Sequence, residues 1–243
     1  MKTQYVIDCH VHSLASGHGY STIAEIAREA NGKGLEMVAI TDHGPRMPGG
    51  PHEYHFAKLK VIPRKICGVE ILKGAEANIV DTTGRLDLSD ASLKTLDLVL
   101  AGFHGPCMKP GSRNDNTGTL EQAMENPAVD ILVHLDNPAY PIDYEKVILR
   151  AKERDVLIEL NNLSCCMENE GRSDNCLTIA GFCKKHGAKV VAGSDAHIAF
   201  DVGNFDKVAD IFKRIDMPDE LIMNLDSSRF KMYLKTKGKR RFL

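Results

Sequence analysis

The sequence lacks the features that mark several common protein classes. None of its apolar runs approaches the ~20 residues that a membrane-spanning helix needs, so we expect no membrane partner. No GxGxxG or GxxxxGKS loop occurs, which excludes the commonest nucleotide-binding folds. The N-terminal MKTQYVIDCH runs directly into a charged, histidine-bearing segment, and we therefore expect no signal peptide.

An excess of one charge is also missing. The 31 basic and 33 acidic side chains give a net charge of −2, which does not attract long nucleic acid. The basic C-terminal segment KTKGKRRFL is therefore expected to be a solvated end. The seven cysteines have no CxxC spacing, and Cys165 and Cys166 are adjacent, which argues against a disulfide framework. A reducing cytoplasmic location fits this pattern, with the cysteines serving as small apolar residues.

Seven short runs rich in Val, Ile and Leu are present, and a helical pattern follows most of them. Their almost continuous apolar character predicts parallel strands that are covered on both faces. Such alternation indicates an α/β fold whose parallel sheet is either closed as a barrel or open and doubly wound. With no linker or repeat, residues 1–243 are predicted to form one domain. The runs are QYVIDC, LEMVAIT, VEILKGAE, LDLVLAGF, VDILVH, VLIELNN and AKVVAGSD.

Histidines and acids collect where these predicted strands end. In a parallel barrel the carboxyl ends of the strands form one face, on which active sites are built. Strand alternation also points the first two histidines to the same side. We therefore expect nine side chains, far apart in sequence, to converge as metal ligands. They are His10, His12, His18, His43, Glu76, His104, His134, Asp195 and His197.

Imidazole and carboxylate together are the ligand types of zinc, manganese or iron. Nine ligands exceed what one ion can use, but they suffice for two or three ions if a carboxylate bridges. Closely spaced ions lower the pKa of bound water to about 7 and hold both oxygens of an in-line displacement. The pattern therefore indicates hydrolysis, with phosphate esters as the first candidate substrates.

Other polar residues near the strand ends are weaker candidates. His52 and His55 follow the second strand and are equally compatible with surface positions and with a rim that faces substrate. Asn161 and Asn162 end the sixth strand and are candidate substrate-binding residues. His186, in the helical ending KKHG, is predicted to be a helix C-terminal cation and not a ligand.

The segments DCHVHS, ITDHG, GAEAN, AGFHG, LVHLDNP and GSDAH, together with the loop at His18, resemble the motifs of the PHP (polymerase and histidinol phosphatase) family. The order and flanking residues are most similar to its small single-domain, YcdX-like phosphatases, from about residue 5 to residue 235. The resemblance implies a distorted, TIM-like (β/α)₇ barrel with three divalent ions. Zinc is expected first, with manganese or iron as alternatives.

The resemblance also implies how the ligands divide among the ions. The first ion would take His10, His12, Glu76 and Asp195. Glu76 would bridge to a second ion held by His104 and His134. The third ion would take the remaining three histidines, which are His18, His43 and His197.

Two positions depart from the family pattern. Asp136 follows the motif histidine His134 closely and adds a carboxylate at the rim, which affects the expected substrate preference. Arg46 is not expected in its loop, and it is either a phosphate-binding fork or a solvated residue.

The mechanism implied by this ligand set is direct hydrolysis of a small phosphate ester, in which a hydroxide shared by the first two ions attacks phosphorus. Asp195, Glu76 and His197 are the predicted catalytic residues, with Asp195 as a ligand and proton acceptor. Asp8 and Asp42, which precede ligand motifs, are candidates for carboxylates that orient imidazoles, or else for loop hydrogen-bond acceptors.

Two other functions remain open at this point. Metal barrels with an HxH strand also hydrolyse amide-type bonds, although Lys73 is poorly placed to be the bridging lysine that such enzymes use. A metal-binding regulatory protein is the third alternative. Sequence leaves the substrate and a homo-oligomeric state undetermined.

Overall fold

The parallel strands predicted from the apolar runs are present. The computed structural model describes residues 4–167 and 171–242, and in these ranges eight strands form one sheet. Seven strands are parallel and follow one another around the sheet in chain order, whereas the short β3 pairs antiparallel with β4. The strands are β1 Ile7–Val11, β2 Met37–Ile40, β3 Lys65–Ile66, β4 Val69–Asn78, β5 Leu98–Gly102, β6 Ile131–Leu132, β7 Leu157–Asn161 and β8 Val190–Gly193.

The two ends of the sheet meet and nearly close a barrel. Val11 and Ala196 form a parallel bridge, and the Asp195 amide donates to the carbonyl of His10 at 2.9 Å. The predicted distorted (β/α)₇ barrel is therefore confirmed, and the carboxyl ends of β1 and β8 are brought side by side. This closure places the first and last predicted ligand motifs next to each other.

Helices cover the outside of the barrel. A capping box joins Thr22 and Glu25 at the start of α1, and a second one joins Ser112 and Asp115 at the start of α4. The helices are α1 Ile23–Gly32, α2 Tyr54–Lys58, α3 Asp90–Leu93, α4 Arg113–Ala123, α5 Tyr144–Glu153, α6 Asn162–Cys165, α7 Arg172–His186, α8 Asp206–Arg214 and α9 Ser227–Thr236. Within the described residues, no helix is both long and apolar enough to cross a bilayer.

The sequence patterns did not predict β3, α6 or α9. β3 joins β4 through a two-residue turn at Cys67 and Gly68, whose φ angles are 49° and 86°. Positive φ at both central residues is the geometry that matches the twist of a hairpin. The first of these positions is usually Asn, Asp or Gly, but here it is Cys67, so the turn is hard to recognise from the sequence.

Two apolar layers form the core. The larger one lies between sheet and helices, and the smaller one fills the amino-terminal half of the barrel interior. α9 closes that end of the barrel, because Phe230 and Leu234 are fully buried against interior residues such as Leu98. The barrel is thus a packed core at its amino-terminal end, and the polar residues concentrate at the other.

The basic C-terminal segment is not the solvated end that its composition predicted. Lys239 is 7% exposed and its Nζ lies 2.5 Å from Oδ2 of the fully buried Asp130. Arg241 donates to Asp97 at 2.9 Å and also pairs with Glu70. These carboxylates lie at the amino-terminal ends of strands, where the tail packs against them, a contact that local composition does not reveal.

Candidate metal centre

The structure brings the predicted ligands together at the carboxyl ends of the strands. Glu76, near the end of β4, is fully buried at the centre of the group. Its two carboxylate oxygens lie 2.7–3.4 Å from ring nitrogens of five histidines. These five are His10, His12, His43, His104 and His134. We refer to Glu76, these five histidines, Asp195 and His197 as the imidazole cluster.

Asp195 forms the second carboxylate of the imidazole cluster. Its Oδ1 lies 3.2 Å from Nε2 of His12 and 3.5 Å from Nε2 of His10. Asp195 and His134 both have left-handed backbones, with φ of 55° and 57°. Such conformations are uncommon for residues other than glycine and often occur at functional sites. Two tight turns at strand ends thus present these side chains to the centre.

His197 and His18 lie on the outer side. His197 Nδ1 donates to the carbonyl of Asp195 at 2.8 Å. Its other ring nitrogen, Nε2, is therefore the one that could bind a metal ion. The His18 ring is 4.9 Å from the rings of His197 and His43. His18 is therefore adjacent, but it does not share the closest ligand groups.

Ligand atoms within 4.8 Å of one another define four groups that could hold an ion. The group of His10, His12 and Glu76 matches most of the predicted first site. Each of the other three groups combines residues that the resemblance assigns to different ions. His43, for example, was assigned to the third ion but lies 2.7 Å from Glu76. The groups are His12–His43–His197, His10–His134–Asp195, His10–His12–Glu76 and His43–Glu76–His104.

Sequence reasoning missed Glu159, which orients His10. Glu159 is in β7, and its Oε1 lies 2.6 Å from Nδ1 of His10. A carboxylate only accepts here, so Nδ1 carries a proton and Nε2 faces the cluster, where it would bind a metal ion. The neighbouring Gly193 makes room, because a Cβ there would lie 2.0 Å from Glu159 Oε1. The one sequence feature that could have indicated Glu159 is that it is a single carboxylate within an apolar strand that is buried on both faces.

A second missed residue, Ser16, orients His12. The Ser16 hydroxyl donates to Oδ1 of Asp42 at 2.8 Å and therefore accepts from Nδ1 of His12 at 2.9 Å. Asp42, one of the two carboxylates proposed to orient imidazoles, is thus linked to His12 through a serine. These two hydrogen bonds fix the proton of His12 on Nδ1, and Nε2 of His12 also faces the cluster.

Asp8 and Asn161 form hydrogen bonds that hold the protein together around the imidazole cluster. Asp8 contacts no imidazole ring; its carboxylate accepts from the backbone amides of His10, Ser194 and Gly203 at 2.8–3.3 Å. It is therefore the loop acceptor of the two alternatives, and it ties β1 to the chain after β8. Asn161 Nδ2 donates to Asp195 Oδ2 at 3.1 Å, so that Asn161 positions a predicted ligand.

The remaining candidates lie around the cluster or away from it. Asn162 Oδ1 accepts from two backbone amides at the start of α8, at 3.0 and 3.2 Å, which is a helix-capping contact. His52 is exposed and accepts from a backbone amide, whereas half-buried His55 lies 3.5 Å from Asp42 Oδ2. Arg46 is exposed, and its backbone amide donates to Asp87 at 2.9 Å. His186 lies 2.7 Å from Glu145 at the end of α7, as expected of a helix C-terminal cation.

The electrostatics of the imidazole cluster require positive charge. Burial alone would raise the pKa of Glu76, but the imidazoles of His43, His104 and His10 hold it well below its usual range. Burial likewise opposes ionisation of Asp195, yet the facing histidines keep its pKa low. Burial lowers the pKa of His12 to about 3, so this ring remains a neutral donor of its lone pair. Burial opposes protonation of the other rings, but Glu159 and Glu76 raise the pKa of His10 well above its usual range, and Glu76 raises that of His134 to about 9. Protonated imidazoles thus balance the buried carboxylates, and metal ions would replace those protons.

Unpartnered atoms in the cluster also fit metal ions. Among the described residues, both carboxylate oxygens of Glu76, Oδ1 of Asp195 and the ring nitrogen Nδ1 of His43 are buried without a hydrogen-bond partner. The His43 nitrogen lies 2.7 Å from Glu76, but not along a hydrogen-bonding direction. Buried polar atoms are almost always partnered, so a group of orphaned acceptors indicates a missing cation. The residues present therefore fit divalent ions.

The Glu159 contact leads to a first prediction. Glu159→Gln should weaken metal binding by about 10–100-fold without abolishing it, because carboxylates that orient a ligating imidazole contribute that much. Titration with a competing chelator measures the change. The matched control is Glu145→Gln, which breaks a similar contact with His186 outside the cluster and should leave metal affinity unchanged. Equal affinities for Glu159→Gln and the parent protein would contradict the orienting role.

Comparison with known proteins identifies the family. The model of the PHP domain matches residues 8–235 of this chain. The chain belongs to the PHP family. A probable phosphatase of Caldanaerobacter subterraneus subsp. tengcongensis is 52% identical over 241 residues, covering 99% of this chain and 95% of the relative. A probable phosphatase of Clostridium novyi is 48% identical over 236 residues and covers 97% of both chains.

Solved structures agree with the PHP fold. The crystal structure of a histidinol phosphate phosphatase from Lactococcus lactis, complexed with zinc, L-histidinol and phosphate, is similar with a TM-score of 0.58 and 14% identity. The similarity covers 88% of this chain and 95% of that one. A chain of archaeal ribonuclease P bound to mature tRNA has a TM-score of 0.60 at 15% identity, covering 95% and 90%. At these identities the likeness shows the PHP fold alone.

Proposed function

We propose that this protein is a metal-dependent phosphatase that hydrolyses a small phosphate ester at a centre of three divalent ions. The observation that carries the proposal is the convergence of Glu76 and Asp195 with seven imidazoles at one end of the barrel. The predicted class, a hydrolase of phosphoric esters, is itself confirmed by the family and by relatives named probable phosphatases. The metal number, the site residues and the single domain over residues 1–243 are parts of the proposal.

Glu76 and Asp195 have distinct roles in this proposal. Ions bound here would supply Lewis acidity, which lowers the pKa of water and neutralises phosphate charge. Glu76 can bridge two sites because its two oxygens face different histidines, Oε2 towards His43 and Oε1 towards His104. Asp195 Oδ1 is the unpartnered acceptor beside His12, and it can take the proton that water loses.

The outer histidines would hold the phosphate side of the site. The rings of His197, His43 and His18 lie close together, with centroids 4.9–6.2 Å apart. They remain the proposed ligands of the third ion, which neutralises phosphate oxygens when bound. Arg46 is a second candidate for contact with the substrate, since its backbone anchor on Asp87 holds it in the loop after His43.

The opening beside the cluster suits a small substrate. A cavity of about 200 Å³ is bordered by His104, His134 and Asp195. Asp136, which departs from the family pattern, is 3% exposed, and its Oδ2 accepts from Arg172 at 3.0 Å. Its charge is thus paired with a guanidinium at the border of the cavity, so Asp136 does not face substrate as an isolated carboxylate.

The choice of metal follows from the donor set. A nitrogen-rich set with two carboxylates suits zinc, manganese or iron better than calcium or magnesium. The histidinol phosphate phosphatase with the same fold was crystallised with zinc and phosphate, which supports zinc first. The seven free cysteines fit the proposed cytoplasmic location, and a homo-oligomer is left open.

The amide-hydrolysing alternative has less support. The absence of a bridging lysine among the described residues weakens it, since Lys73 instead lines a groove with Asp97 that contains none of the proposed metal ligands. The regulatory alternative is separated from both enzymes by turnover. Purified protein should hydrolyse an aryl phosphate and not an aryl amide.

Elemental analysis tests the metal centre. We expect about three divalent ions per chain in active protein, since nine ligands with a shared Glu76 provide for three. Chelation should remove both ions and activity, and both should return on addition of zinc or manganese. Active protein with one ion per chain would contradict the trinuclear proposal while leaving the phosphatase class intact.

Substitutions at the end of β8 test the division of roles. Asp195→Asn should lower kcat by about 10²-fold, because it removes a proton acceptor, and should weaken the first site. His197→Ala should remove mainly the third ion and raise KM for phosphate esters. Steady-state kinetics and metal content are the measurements. His186→Ala, on the surface contact with Glu145, is the control and should change neither; full metal content and activity in His197→Ala would refute its assignment.

A further inference from the structure

A groove at the opposite end of the barrel has a charge pattern unlike the rest of the surface. It lies between the α2 region, the loop before β5 and the C-terminal segment, and its volume is about 770 Å³. Six cationic side chains line it and Asp97 is the one acidic residue among its lining residues. The cations of this basal groove are Lys60, Arg64, Lys73, Lys94, Arg240 and Arg241.

Most of these cations form no ion pair with another described residue. Arg241 pairs with Asp97 and Glu70, which already accounts for the groove's carboxylate. The structure, over its described residues, records no ion pair for the other five side chains of the basal groove. Elsewhere on the surface ion pairs are common, for example Lys146 with Glu121 and Lys189 with Asp155. Together these side chains give one groove an excess of positive charge in a chain whose net charge is −2.

Lys73 shows that the cations act on one another. Burial lowers the pKa of the Lys73 ammonium, and the nearby Arg241 and Arg64 lower it further, whereas Asp97 opposes them. Mutual repulsion of this kind is relieved when an anion enters the groove. Lys73 belongs to β4, and its partly buried side chain lines the groove.

One wall of the basal groove is apolar. Leu59, Ile62, Pro63 and Leu96 line it, and the adjacent Val61 is 76% exposed. A cavity of several hundred Å³ with an apolar wall and a few convergent charges is typical of sites for small ligands. Long nucleic acid would need a basic surface that extends well beyond one groove.

From these features we infer that the basal groove is a second binding site, distinct from the metal centre, for a nucleotide-like ligand with two adjacent phosphates. The phosphates would lie among Arg64, Lys73 and Lys94, where guanidinium and ammonium groups provide charge-assisted donors. The base would pack on the apolar wall. The inference stands independently of the hydrolytic function, because no proposed metal ligand lines this groove.

Calorimetric titration of the metal-loaded protein with the α,β-methylene analogue of ADP tests this site. This analogue resists cleavage at its bridge and carries two adjacent phosphates. We expect the double variant Arg64→Gln/Lys73→Gln to bind it at least about tenfold more weakly, and binding to weaken as salt rises. The control, Lys213→Gln/Arg214→Gln, also removes two positive charges but lies on α8 outside the groove, and should bind like the parent.

Three outcomes would overturn the inference. Equal weakening in both double variants would mean that the ligand senses only overall charge. Loss of binding in His104→Ala, with the groove intact, would place the analogue at the metal centre. Tighter binding of a single-stranded oligonucleotide than of the analogue would replace the small ligand with nucleic acid. Thermal unfolding of every variant at the parent's temperature confirms that a loss of binding is not a loss of fold.

Discussion

Glu76→Gln should lower kcat by about 10³-fold and reduce the metal content, the largest effect on activity that we expect. Gln keeps the shape of the side chain, but it removes the charge that five imidazoles surround at 2.7–3.4 Å. Metal-ion catalysis contributes several kcal/mol, and each 1.36 kcal/mol corresponds to a factor of ten. Steady-state kinetics and elemental analysis of the purified variant measure the two effects.

The comparison for this experiment is Glu145→Gln. Glu145 also has a carboxylate oxygen 2.7 Å from an imidazole, that of His186, but the pair lies at the surface. Its loss should leave kcat and metal content within error of the parent. If Glu76→Gln kept its full complement of ions, Glu76 would not be the bridging ligand, whatever happened to the rate.

Lys239→Met should destabilise the fold by about 3–5 kcal/mol, because it leaves the fully buried Asp130 carboxylate without its cation. Chemical denaturation of the parent and the variant measures the difference. Asp130→Asn in the Lys239→Met background should recover much of the loss, since Asn can still accept from the Val99 amide, now 2.8 Å from Asp130. Lys235→Met, on the exposed face of α9, should change stability little.

This destabilisation should also depend on pH. Burial raises the pKa of Asp130, and the Lys239 ammonium opposes that rise. Without the ammonium, the folded-state pKa rises further above the unfolded value, so the folded state binds the proton more tightly. Stability of Lys239→Met relative to the parent should therefore be greatest in acid and fall as pH rises through the folded pKa. A difference that does not vary with pH would show that Asp130 stays ionised.

The strands and the positions of the proposed ligands could be predicted from sequence, since both depend on local patterns. An apolar run such as VLIELNN signals a buried strand wherever it lies, and a histidine at its end lies at the carboxyl edge of a parallel sheet. The Thr22–Glu25 capping box at the start of α1 is an equally local feature, since its two residues are three positions apart. The nine proposed ligand positions follow from the order of residue types along the chain.

The residues that orient those ligands could not be predicted in the same way. Glu159 and His10 are 149 positions apart, and only closure of the barrel places them at 2.6 Å. Asp42 reaches His12 through Ser16, a residue that resembles any loop serine in the sequence. Asn161 and Asn162 are adjacent and alike in sequence, but one contacts Asp195 and the other caps α8.

The sequence alone determined the seven parallel strands, the end of the barrel at which histidines and acids gather, and the family to which the chain is similar. These depend on the period and order of residue types along the chain, which local physical chemistry constrains. The tertiary structure decided how the ligands group around Glu76, which carboxylates orient them, and that the basic C-terminal segment packs against Asp130 and Asp97. Those features depend on contacts between distant segments, and their geometry exists only once the barrel has closed.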